Sequence, residues 1–124
     1  MDNIGKKYEL EDRTKKFTVQ LVRFINNQDR NIINNILFVQ LVKAGSSIGA
    51  NYREANRAES KKDFIHKIGI VQKEASETQY WLEVLFESDI INSDGIELLL
   101  NEATELLAIF TAIGKTSKKN STFT

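Results

Sequence analysis

The chain has no cysteine and no proline. Without thiols it can form no disulfide, offer no thiolate nucleophile and hold no metal through sulfur. Average usage would place about six prolines in a chain of this length. Proline interrupts helices, so its absence favours long continuous ones. Histidine and tryptophan occur once each, as His66 and Trp81. No apolar run approaches the roughly 18 residues of a membrane span. The first residues, MDNIGKKYELEDR, lack the apolar centre of a secretion signal. The cytoplasm is therefore the expected compartment, with no membrane partner. The sequon Asn120-Ser121-Thr122 has no secretory context that would make it a glycosylation site.

What is present is helical periodicity. The 124 residues suit one domain, long enough to bury a core. Leu10, Thr14, Phe17, Leu21 and Phe24 step by four and three residues in turn. Leu37, Leu41, Ala44, Ile48, Asn51 and Ala55 do the same. A third stripe runs through Phe64, Ile68, Val71, Ala75, Thr78, Leu82 and Leu85, and a fourth through Ile96, Leu99, Ala103, Leu106, Phe110 and Ile113. Asn26-Asn27-Gln28-Asp29 and Ala58-Glu59-Ser60 separate the first three. Ser60 with Asp63 has the spacing of a capping box, and Asn92-Ser93-Asp94 supplies a cap and an acid for the fourth. The spacing predicts helices at about 9–26, 31–57, 61–87 and 94–114, with a flexible tail over 115–124. Short connections make successive helices antiparallel, so the expected fold is an all-α, up-down-up-down four-helix bundle.

Residues 43–64, KAGSSIGANYREANRAESKKDF, begin with a cluster of small side chains and end in dense charge. Neither GxGxxG nor GxxxxGK[ST] spacing occurs, which argues against a phosphate-cradling loop. The small residues fall inside a helical period. Gly45 and Gly49 share a face, and each costs about 1 kcal/mol against alanine in a helix. Close approach of another helix would compensate, either within the bundle or from another subunit. Asn51 falls on the stripe, where a polar residue can set register or partner choice, or rotate to the edge. Gly45, Gly49, Asn51, Tyr52 and Trp81 are the candidate oligomer-interface residues.

Charge is balanced overall but not along the chain. Residues 1–73 hold 14 basic and 8 acidic side chains; residues 74–105 hold 9 acidic and no basic ones; residues 106–124 add three lysines. On the expected topology these blocks become a basic pole and an acidic pole. Arg53, Arg57, Lys61, Lys62 and Lys67 gather at the helix 2–3 corner of the basic pole and are the candidate phosphate contacts. Lys61 and Lys62 stand at a helix N-terminus, where cations are mildly unfavourable, so the helix dipole does not explain them. A solvated surface with pairs such as Asp63–Lys67 is the plain alternative.

Catalytic chemistry has little to work with. A bundle di-metal site needs two Glu-x-x-His units, and one histidine cannot supply them. No nucleophile elbow is present for Ser/His/Asp chemistry. No catalytic, cofactor or metal site is expected, and no small-molecule substrate. Tyr80-Trp81 could stack a base, but Trp81 flanks the third stripe and fits a core or inter-subunit anchor better.

Ser47-Ile48-Gly49-Ala50-Asn51, then Glu54-Ala55, Ser60-Lys61-Lys62-Asp63-Phe64 and Lys73-Glu74 through Glu77 resemble one small family. It is the four-helix-bundle family named after proteins encoded in intervening sequences of 23S rRNA genes. Accessory proteins of diversity-generating retroelements are similar. The resemblance implies an all-α bundle and a ring-like homo-oligomer, a pentamer. Its name records gene location rather than an activity. The retroelement relatives imply nucleic-acid contact through a basic surface. Two functions follow as expectations: a non-enzymatic homo-oligomer that binds structured RNA or other nucleic acid through the basic pole, or a protein-assembly module with no nucleic-acid role.

Overall fold

A computed structural model describes residues 3–91 and 94–121. Four helices follow one another: α1 (Asn3–Asn26), α2 (Ile32–Ala55), α3 (Lys61–Glu87) and α4 (Asp94–Ser121). They form a four-helix bundle in which α1 packs on α2, α2 on α3, α3 on α4 and, most sparsely, α4 on α1. Neighbours run antiparallel. A Cβ on Gly45 would meet Leu21, and one on Gly49 would meet Thr14, so α1 and α2 run in opposite directions. Gln79 of α3 donates to Thr104 of α4, while a Cβ on Gly114 would meet Gln72.

Leu21, Leu41, Ile48, Ile68, Val71, Leu82, Leu85, Ile96, Leu106 and Phe110 are fully buried. Each such side chain contributes roughly 1.5–3 kcal/mol relative to exposure. Two polar residues on the stripes, Thr14 and Thr78, are also buried. Their hydroxyls donate to the carbonyls of Leu10 and Glu74, 2.9 and 2.7 Å away, so neither is left unsatisfied.

The helix ends explain themselves locally. Asn31 caps α2 by accepting from the Asn34 N–H. Ser60 caps α3 by accepting from the Asp63 N–H. The cap expected for α4 at Asn92-Ser93 lies outside the described residues; Asp94 and Glu97 place acid in its first turn, as the helix dipole favours. Asp89 has φ of 59°, the left-handed turn that lets the chain leave α3.

Two boundaries differ from the reading of the sequence. α1 begins at Asn3 and α4 continues to Ser121, so the segment 115–121 is helix rather than loose tail. Gly114 is buried against Gln72 of α3, so it marks a close approach and not a stop. Lys118 and Lys119 in the last turn then suit the negative end of the helix. Both extensions lie beyond the outermost core residues, where apolar periodicity carries no information.

The buried face of α2 is wider than the expected stripe and differs from it in part. It runs through Asn34, Phe38, Leu41, Ala44, Gly45, Ile48, Tyr52 and Ala55, so Leu41, Ala44, Ile48 and Ala55 are buried as expected. Phe38 and Tyr52 therefore take the places assigned to Leu37 and Asn51. The helix is apolar on several faces, long and apolar enough to resemble a membrane span by length and composition alone. With no polar face to fix the angle, the sequence leaves its rotation ambiguous.

Candidate nucleic-acid interface

The corner between α2 and α3 is built by short-range hydrogen bonds. The Ser60 hydroxyl oxygen accepts from the Asp63 N–H at 3.0 Å. The Asp63 carboxylate reaches back to the Glu59 N–H at 3.3 Å and accepts from Lys67 Nζ at 3.1 Å. This is a capping box displaced by one residue, closed by an ion pair. The Lys67 hydrogen bond is the main reason the Asp63 carboxyl lies below its usual pKa; the Glu59 N–H and the nearby His66 add to it.

Glu11 ties α1 to the same corner. One of its oxygens accepts from Asn56 Nδ2 at 2.9 Å, and the other lies 3.5 Å from Arg53 Nε. Lys7, Tyr8, Asn56 and Arg57 line a cleft beside it. Farther along α1, Arg13 makes a two-pronged contact with Glu102 at 2.8 and 2.7 Å and also reaches Glu105. That contact pins α1 to α4, the least packed pair of neighbours.

These bonds divide the five candidate phosphate contacts. Arg53 and Lys67 spend their charge on Glu11 and Asp63. Arg57, Lys61 and Lys62 are exposed and form no salt bridge among the described residues. Of the first N–H groups of α3, that of Asp63 is capped by the Ser60 hydroxyl, while those of Lys61 and Lys62 have no helical acceptor. By the antiparallel topology, Lys6 and Lys7 of α1 and Lys115 and Lys118 of α4 lie at the same end; all are exposed.

The family model for 23S rRNA-intervening sequence protein matches residues 6–112. The chain belongs to this family. A crystal structure of a protein of unknown function from the S23 ribosomal protein family of Bacteroides thetaiotaomicron is similar, with 35% sequence identity and a TM-score of 0.79. The match covers 89% of this chain and 98% of that one. No curated protein shows significant similarity.

The stretch Ser47 to Asn51 is helical and straddles the edge of the core, with Ile48 inward and Ala50 outward. Ile48 is buried, Ser47 Oγ donates to the Lys43 carbonyl, and Asn51 Nδ2 donates to the Ser47 carbonyl at 2.8 Å. Asn51 thus bonds its own helix at the edge of the core and does not occupy the seam. Gly45 packs on Leu21 and Gly49 on Thr14, both in α1 of the same chain. Tyr52 is 4% exposed, edge-on to Phe110 with ring centroids 5.1 Å apart. Burial raises its pKa. Gly45 and Tyr52 therefore present no surface to another subunit. For Gly45 this is the first of the two expected alternatives, close approach within the bundle; the spacing could not tell one neighbouring helix from another. Trp81 is half-buried beside the core, edge-on to exposed Tyr80, and its Nε1 has no hydrogen-bond partner among the described residues.

The surface that the sequence reading missed lies on the outer side of α2. Ile32, Ile33, Ile36 and Val39 are exposed, as are Val19 and Val22 of α1. Ile32, Ile36 and Val39 step by four and three, a second stripe beside the core stripe. That repeat was present in the sequence but hidden by the general apolarity of α2.

Proposed function

We propose that the protein is a non-enzymatic, cytoplasmic homo-oligomer that binds structured RNA through its basic end. The observation that carries this reading is the helix 2–3 corner. Arg57, Lys61 and Lys62 stand exposed there without acidic partners among the described residues, with lysines of α1 and α4 at the same end. Unpaired cations can replace the counterions of a phosphate backbone, whereas paired ones must first give up a partner. Exposed cations of this kind recognise the shape and charge of the backbone.

The test is fluorescence anisotropy of a labelled RNA hairpin titrated with the full chain. Lys61→Glu with Lys62→Glu should abolish binding while circular dichroism stays unchanged. Binding that survives the double reversal would remove the corner from the mechanism. The exposed apolar stripe on α2 favours a second reading, a protein-assembly module without RNA. Stable self-association with no RNA binding at any salt concentration would select it. Light scattering on the same preparation gives the subunit number, five by resemblance to the family.

A further inference from the structure

The apolar side chains that the bundle leaves outside form a defined groove. Val22 of α1 and Val39 and Val42 of α2 line a depression of about 510 Å³, with Arg30 and Lys43 at its margin. Next to it Ile36 is 57% exposed and Val39 62%, high values for β-branched side chains. Arg30 and Lys43 form no salt bridge among the described residues. An apolar floor with a cationic margin suits an apolar side chain flanked by carboxylates.

The chain itself carries that counterpart. Glu83, Phe86 and Glu87 share one side of the last turns of α3 by their spacing. Phe86 is 41% exposed. No basic residue occurs between positions 74 and 105, and neither glutamate has a salt bridge among the described residues. We propose that the α1–α2 groove is a self-association site that takes the acidic end of α3 from a second copy. Phe86 seats over Val22 and Val39, and Glu83 and Glu87 meet Arg30 and Lys43.

The levels of the two patches set the geometry. The groove uses the end of α1 and the first half of α2; its counterpart uses the end of α3. In an antiparallel bundle these lie at the same end. Copies that join through them therefore stand side by side with their axes in one direction. The two patches are different surfaces, so the contact is heterologous and propagates until it closes a ring or continues as a filament. Either way the basic ends of all copies face one side, which adds their phosphate contacts together.

The inference shares only self-association with the proposed function, and RNA anisotropy is measured in parallel to separate them. Light scattering at micromolar concentration should find the wild type associated. Arg30→Glu with Lys43→Glu should weaken association by about tenfold or more, and so should Glu83→Lys with Glu87→Lys. Mixing the two variants should restore pairwise association, because the reversed groove then meets the reversed acidic end; the two must alternate, so the mixture gives dimers and open or even-numbered assemblies rather than a ring of five. Val39→Asp should weaken association without charge rescue. Circular dichroism confirms that each variant is folded. A monomeric wild type, variants of wild-type size, or a mixture that stays dissociated would each overturn the site. RNA binding by a monomeric wild type would leave the basic corner standing, with the groove left to a lipid surface or another protein. Association without RNA binding would do the reverse.

Discussion

Single residues decide how close the helices come. A Cβ on Gly45 would fall on the end of Leu21, which is fully buried and has nowhere open to move. A Cβ on Gly69 meets nothing within 4 Å. Alanine is worth about 1 kcal/mol more than glycine inside a helix at either site. Overpacking at Gly45 opposes that gain by about 1–3 kcal/mol. Gly69→Ala should therefore stabilise the protein, and the two substitutions should differ by about 1–3 kcal/mol in urea unfolding followed by Trp81 fluorescence. If both stabilise equally, the approach of α1 to α2 at Gly45 is slack. Gly49 is a milder case, since its Cβ would stand 3.1 Å from Thr14 Oγ1.

At the level of elements, what can be read from a sequence depends on how sharply polar and apolar residues alternate. α3 has clear polar faces and a Ser60–Asp63 start, and its extent matches the spacing that predicted it. α2 is apolar on several sides, so its existence and the middle of its buried face were legible, but the edges of that face were not. That ambiguity left Asn51 open between the stripe and its edge, where it lies, and put the buried Tyr52 among the interface candidates. The corner that joins the two helices yields a pH prediction. The Asp63 carboxyl lies below its ordinary value of 3.8, chiefly through Lys67. A lowered carboxyl adds stability above the unfolded-state value and loses it as pH falls through the folded one. Asp63→Asn should thus destabilise the protein at neutral pH, and the gap to wild type should close as pH drops below about 4. Urea midpoints at neutral and acidic pH give the comparison. A gap that persists in acid would assign the effect to the amide's poorer capping rather than to charge.

For the whole molecule, the segregation of charge along the chain turns into polarity because antiparallel helices fold the basic blocks to one end. Charge counts alone overstate the strength of that end, since each paired cation is already neutralised locally. Arg53 is held by Glu11 and Lys67 by Asp63, whereas Lys61 and Lys62 are unpaired among the described residues. This difference sets a salt prediction. Each phosphate contact contributes about 0.7–0.9 to the slope of log affinity against log salt. Lys61→Gln should reduce the slope by about that amount per subunit engaged, and Lys62→Gln likewise. Arg53→Gln should reduce it by less, because Glu11 then loses its partner and adds a repulsive charge without removing a free cation. Its effect should appear mainly as weaker binding at every salt concentration. Equal slopes for the Arg53 and Lys61 variants would mean that RNA displaces Glu11 and recruits the arginine. The corner would then rearrange on binding, and Asn56, which also holds Glu11, would be the next residue to change.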